Sequence, residues 1–141
     1  MGRARETVER LMKTYDEYDP AALVALYAPG ARISRPGAPE LTPEEYGKYY
    51  GGFVQALPDF RHELSWVVEE GDRAAFEAVI VATFTGTLPT PGGPVPGNGS
   101  RIRFPEAGSL VVDAEGRIVD DRSYADMGDF MVQMGLAPVP N

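Results

Sequence analysis

Asp126, His62 and Arg35 are the side chains of this sequence best suited to proton transfer in an apolar setting. Asp126 ends a stretch in which Ile118, Asp120, Arg122, Tyr124 and Asp126 share one face of an extended chain, because strand side chains alternate. Beyond it, Met127, Phe130, Met131 and Met134 keep helical spacing. Asp126 thus stands where the inner face of a strand meets a helix start, which places a side chain at the mouth or floor of a cavity. A carboxylate in apolar surroundings has a raised pKa and can take a proton from carbon. The competing reading makes Asp126 the cap of that helix, accepting backbone N–H bonds, and that would lower its pKa.

His62, the one histidine, is in phase with Phe60, Leu64 and Trp66, where it would carry a proton or donate a hydrogen bond. The competing reading is an ordinary histidine near a strand start. Arg35 and Arg122 are candidates to clamp an anionic substrate or to support an enolate. Arg122 has the alternative of an ion pair with Asp120 or Asp126. Tyr15, Tyr50, Phe53, Trp66, Phe84, Phe104 and Tyr124 are the candidate wall of an aromatic pocket, against the plainer reading of such stripes as core. Glu77 and Glu106 fall in strand patterns; either is a candidate pocket acid, against the expected reading of exposure to solvent or to an interface.

The bulk composition narrows the chemistry. A chain of 141 residues, 43% hydrophobic, has material for one domain with its own core, expected to span 1–141. A net charge of −8 disfavours nucleic acid and anionic membranes as partners. With no cysteine there is no disulfide and no thiol nucleophile, and a single histidine excludes a His-rich metal site. Carboxylates alone would hold a hard cation at best, so no metal is expected. No apolar run approaches the roughly 20 residues of a membrane span. The opening MGRARETVER lacks the apolar segment of a secretory signal, so a cytoplasmic location is expected.

The elements that must position these side chains follow from periodicity and turn signals. Glu6 to Tyr18 is an amphipathic helix with Val8, Leu11, Met12, Tyr15 and Tyr18 on one stripe. Asp19-Pro20 opens a short second helix. Ala31 to Ser34 is a short strand. Thr42, Pro43 and Glu45 open a third helix whose stripe is Tyr46, Tyr49, Tyr50, Phe53 and Leu57. Phe60 to Glu69, Arg73 to Gly86 and Ser100 to Val112 alternate as antiparallel strands, the last two joined across a Pro/Gly loop, 89–99. The strand into Asp126 follows, then a terminal helix closed by Gly135. Helices first and antiparallel strands after them indicate an α+β fold: a strongly bent sheet with helices on its concave face, enclosing a pocket. Val79 and Val81 face away from Phe76, Ile80 and Phe84, which leaves apolar surface outside the pocket and predicts a homodimer.

Pro58-Asp59, the Glu70-Gly71-Asp72 turn, Thr85-Gly86 before the loop, Gly116-Arg117-Ile118, Asp126 and Gln133-Met134-Gly135-Leu136 occur in an order and spacing that resembles the SnoaL-like polyketide cyclase family, of the nuclear transport factor 2 superfamily. Tyr15, Asp19 and Tyr27-Ala28-Pro29 fit the family's opening helices, so the resemblance covers nearly the whole chain. It implies a cone-shaped α+β barrel and a small apolar, polyketide-like or aromatic carbonyl ligand. It also implies cofactor-independent acid/base cyclisation or isomerisation, with Asp126 as the acid/base. Arg35 and Phe84 stand where many relatives carry histidine. A second function therefore stays open: a binding or accessory protein with the same pocket and no chemistry.

Overall fold

A computed structural model describes residues 2–138. The expected domain, 1–141, extends at both ends beyond the described residues. Helix α1 (Arg3–Tyr15) buries Ala4, Val8, Leu11, Met12 and Tyr15 on its apolar stripe. It begins before Glu6 and stops at Tyr15, short of the predicted Tyr18. Asp16 leads the chain out, and Tyr18 takes a left-handed conformation, φ +58°, which no α-helix can continue. Helix α2 (Pro20–Val24) is capped by the Asp19 carboxylate, which accepts from the N–H groups of Ala21 and Ala22. Helix α3 (Pro43–Ala56) opens with a reciprocal capping box between Thr42 and Glu45. Helix α4 (Met127–Gln133) closes where Gly135 turns left-handed at φ +75°, and the N–H groups of Gly135 and Leu136 bond back to Val132 and Met131.

The main sheet contains β1 (Tyr27–Ser34), β2 (Arg61–Glu70), β3 (Arg73–Thr83), β6 (Arg101–Val112) and β7 (Ile118–Tyr124), in the order β1-β7-β6-β3-β2. Inside the Pro/Gly loop, β4 (Thr87–Leu88) and β5 (Val95–Pro96) pair as a small hairpin. The sheet is curved and open rather than a closed barrel. Pairing is antiparallel except at one edge, where β1 runs parallel to β7. The bent antiparallel sheet expected from the sequence carries this one parallel edge: β1 reaches the sheet from α2 and lies along a strand some 90 residues later, with no hairpin to force the opposite direction. Helix α1 packs across β2, β3 and β6, α3 on β1 and α2, and α4 on β6. One apolar cluster joins them, from Val8 and Leu11 through Tyr50 and Leu57 to Phe76, Leu110 and Met134. Among the described residues, no helix is long and apolar enough to cross a membrane.

Two register shifts decide which side chains face inward. In β2, Leu64 pairs with Ala78 and Trp66 with Glu77, so Ser65 is an extra residue. In β7, Ile118 pairs with Val112 and Asp120 with Val111, so Val119 is extra. An inserted residue of this kind reverses the in–out parity of everything beyond it. Past Ser65, Val67 is buried and Trp66 and Val68 are exposed. Past Val119, Asp121 and Ser123 are buried, while Arg122 and Tyr124 are exposed.

Candidate active site

A cavity of about 90 Å³ lies between α3, α4 and the inner face of the sheet. Tyr46, Tyr49, Tyr50 and Phe53 line it from one face of α3, where their spacing of three and four residues puts them side by side. Phe104 from β6 and Phe130 from α4 close the other wall, with ring centroids 4.9 Å apart. The polar groups collect into two sets.

The first set surrounds Arg35, just past the end of β1, whose side chain is 8% exposed. Its guanidinium grips the Asp121 carboxylate with two parallel bonds: Nη1 to Oδ1 and Nη2 to Oδ2, both 2.9 Å. The same guanidinium donates to the Tyr46 hydroxyl (2.8 Å from Nη2) and to the Ser34 carbonyl (3.0 Å). Its carbon sits 4.4 Å from the Tyr46 ring centre. The Tyr46 and Tyr15 hydroxyls lie 2.5 Å apart, and Tyr27 donates to Asp121 Oδ2 at 2.6 Å. Burial works against the charge of Arg35, but Asp121 and the two tyrosines outweigh it and hold the guanidinium well above its ordinary value. Burial pushes the Tyr15 and Tyr27 hydroxyls well up and that of Tyr46 up to about 12, so all three remain proton donors. Tyr50 secures Tyr15 from behind by donating to its carbonyl at 2.6 Å, filling an acceptor that the end of α1 leaves free.

The second set is Glu106, His62 and Asp16. Glu106 reaches in from β6 beside Phe104, and its side chain is 16% exposed. Its carboxylate accepts no hydrogen bond among the described residues, and His62 Nε2 stands 3.9 Å away. Desolvation raises the Glu106 pKa, while His62 and Arg35 pull against it. Asp16, at the exit of α1, accepts from His62 twice: from the backbone N–H at 3.1 Å and from ring Nδ1 at 3.1 Å. An ionised carboxylate only accepts, so Nδ1 carries the hydrogen and Nε2 is left to face Glu106. The imidazole is stacked on Tyr15, with centroids 4.6 Å apart and planes 20° from parallel.

Of the residues singled out in the sequence, the fold gathers Arg35, His62, Tyr15, Tyr50, Phe53 and Phe104 around the cavity. It does not bring Asp126 there. Asp126 is exposed and caps α4, its Oδ1 accepting from the Asp129 N–H at 2.9 Å. The Val119 bulge accounts for this: it turns Asp120, Arg122 and Tyr124 outward and makes Ala125, not Asp126, the next inward residue. Arg122 pairs with Asp120 on the outer surface (3.1 Å), and Tyr124 is 63% exposed. Trp66 is 46% exposed, moved out by the Ser65 bulge, and Phe84 is fully buried in the core away from the cavity wall. Glu77 lies on the outer face as expected, but Glu106 does not. It shares the parity of Phe104, and that alternation was the available signal. The residues with no place in the sequence reading of the site are Tyr46, Asp16 and Asp121. The aromatic stripe of α3 pointed to Tyr46, and nothing local pointed to Asp121.

The SnoaL-like domain model matches residues 8–121. No curated protein matches the chain. Among solved structures, AclR, a hydroxylase candidate from Streptomyces galilaeus, superposes with a TM-score of 0.80 at 21% identity, over 96% of this chain and 87% of its own. IdmH, a candidate polyketide cyclase from Streptomyces antibioticus, gives 0.78 at 23% identity, over 93% of this chain and 97% of its own. A protein with a ketosteroid isomerase-like fold from Catenulispora acidiphila, crystallised with trimethylamine, gives 0.77 at 20% identity, over 97% of this chain and 99% of its own. At these identities the structures establish the fold, and the family model spans most of the chain: it belongs to the SnoaL-like domain family.

Proposed function

We propose that the protein is a cofactor-independent acid/base enzyme acting on a small apolar or aromatic carbonyl compound, in a cyclisation or isomerisation. The observation that carries this reading is Glu106: a carboxylate without a hydrogen-bond partner among the described residues, in an aromatic cavity, with its proton affinity raised by burial. Such a group is suited to removing a proton from the carbon beside a carbonyl. His62, with Nδ1 tied to Asp16, presents Nε2 to pass that proton on or return it to another atom. Cyclisation and isomerisation consume no net proton, so one such pair suffices. Relatives such as IdmH, a candidate polyketide cyclase, are in keeping with this chemistry.

The test is proton exchange in heavy water, followed by NMR, on a simple bicyclic ketone such as tetralone. Wild type should exchange the hydrogens beside the carbonyl, and Glu106→Gln should do so about 10²–10⁴-fold more slowly. Exchange by wild type no faster than in buffer would leave a pocket that binds without chemistry, the second function open to this fold, and equal catalysed exchange by both proteins would remove Glu106 as the base.

The same proposal includes a homodimer formed through the outer face of the sheet. There Trp66 and Tyr124 lie at two ends of one cross-strand row with Glu77 and Ala107 between them, and Val79 and Val81 flank it on β3. Exposure of this much aromatic and aliphatic surface favours association. Sedimentation at micromolar concentration should show a dimer that Trp66→Glu disrupts.

A further inference from the structure

We infer that the Arg35 end of the cavity is a donor site for a neutral carbonyl oxygen, with Tyr15 as the donor, and that Asp121 is the residue that bars anionic ligands from it. This deepens the carbonyl-compound reading above, but it concerns binding and not turnover.

The argument is a count of hydrogens. A guanidinium has five N–H bonds. That of Nε goes to the Tyr46 hydroxyl at 3.2 Å. The two of Nη1 go to the Ser34 carbonyl and Asp121 Oδ1. The two of Nη2 go to Asp121 Oδ2 and to the tyrosine hydroxyls, Tyr46 at 2.8 Å and Tyr15 at 3.2 Å. None remains to clamp a ligand, so the expectation of a direct anion clamp at Arg35 does not fit this geometry.

The hydroxyls have a surplus instead. Tyr27 spends its hydrogen on Asp121. The Tyr46 oxygen accepts from both Nε and Nη2, which fills its two lone pairs. Tyr46 is therefore the donor in its contact with Tyr15. The O–H of Tyr15 is left as the one hydrogen of the network with no acceptor among the described residues, and Tyr15 lines the cavity. A ligand oxygen there receives a hydrogen bond polarised by the Tyr46–Arg35 chain behind it.

Charge sets the ligand class. Arg35 is cancelled by Asp121 behind it, and among the described residues Glu106 is the carboxylate that lines the cavity. An entering anion would meet no uncompensated positive charge, whereas a ketone oxygen needs only the Tyr15 hydrogen.

A matched pair of probes tests this: methyl naphthyl ketone and naphthoate, titrated by ligand-observed NMR at neutral pH. The ketone should bind at least about tenfold more tightly than the carboxylate. Tyr15→Phe should weaken the ketone about tenfold, the worth of one polarised hydrogen bond, and leave naphthoate unchanged. Asp121→Asn keeps the shape, frees the charge of Arg35 and should bring naphthoate to parity or better. Glu106→Gln should preserve the ketone's advantage. The inference is overturned if the ketone does not bind, if wild type binds naphthoate as well as the ketone, or if Tyr15→Phe leaves the ketone untouched. It is overturned for Asp121 if the advantage disappears in Glu106→Gln, which would assign the selectivity to Glu106. Should Asp121→Asn fail to fold, the wild-type ratio together with the Tyr15 and Glu106 variants still decides it. No arm reads turnover, so failure of the acid/base proposal leaves each result interpretable.

Discussion

The two polar ends of the cavity are built on opposite rules. Around Arg35 the groups are fixed by one another: five N–H bonds, a carboxylate held on both oxygens and three phenols, with charge balanced to zero. Around Glu106 very little is fixed. One carboxylate oxygen stands 3.9 Å from an imidazole nitrogen, farther than a direct hydrogen bond, and only the far side of that imidazole is tied down. A network with nearly every partner satisfied holds shape. A carboxylate largely withdrawn from water, with no hydrogen-bond partner among the described residues, is held ready to exchange a proton. The fold therefore separates holding a ligand from reacting with it, one task at each end of a cavity lined by rings.

If that division is real, the Arg35 end should matter most for stability. Asp121→Ala leaves a buried guanidinium without its counter-charge and takes the acceptor from Tyr27. Breaking one side of a buried ion pair costs about 3–5 kcal/mol, and urea unfolding should show a loss of that size. Replacing both partners with apolar residues of similar volume should recover much of it, since the pair's own net contribution is small. A loss below about 1 kcal/mol for Asp121→Ala would mean that water reaches the guanidinium and the contrast between the two ends is weaker than drawn.

How much of this was legible in the sequence depends on how local the cause is. Caps were legible: Asp19, Thr42 with Glu45, and Gly135 act within a few residues and stand where their types predict. The aromatic wall was legible in part, because the stripe of α3 and the alternation of β6 each persist over several residues. The inward face of β7 was not. One added residue, Val119, reverses its parity, and neither Ile118-Val119-Asp120 nor Leu64-Ser65-Trp66 carries the glycine that often marks a bulge. The consequence at the site is large, since plain alternation without the bulge puts Asp126 on the inner face and leaves Asp121, the key partner of Arg35, on the outer one. The parallel pairing of β1 with β7 was hidden for a related reason: it joins segments distant in sequence and leaves no turn to read.

The Glu106 end has its own signature, in pH rather than in total stability. Folding raises the Glu106 pKa above its ordinary 4.5, chiefly through desolvation. The folded state then holds the proton more firmly than the unfolded state. The associated stability is fully present below pH 4.5 and is lost as pH rises through the raised folded value. Glu106→Gln removes that titration. The variant should match wild type in acid and be the more stable protein at neutral pH, a gain seen as a higher Tm that grows with pH above 4.5. The opposite sign, a variant less stable at neutral pH, would show that Glu106 is ionised and held by His62, which would make it part of a fixed network like that around Arg35.

The smallest expected effect belongs to Asp126, and it tests whether the cavity ends where the geometry places it. The Asp126 carboxylate is exposed and accepts the Asp129 N–H, so its work is to satisfy one of the free donors at the start of α4. Asp126→Ala removes that acceptor and should lower stability by about 1 kcal/mol. Asp126→Asn retains a capping oxygen and should lose only a few tenths of that, chiefly the charge at the helix start. Neither variant should alter ketone binding or exchange in heavy water, because Ala125 and Met127, its neighbours on either side, line the cavity while Asp126 does not. Phe130, one turn into the same helix, is both buried and part of the wall. A fall in exchange that follows the capping loss, greater in Asp126→Ala than in Asp126→Asn, would report fraying of α4 and movement of Phe130. A fall of about a hundredfold or more in Asp126→Asn with stability intact would instead return the acid/base role to Asp126 and leave Glu106 as a buried carboxylate without a reaction.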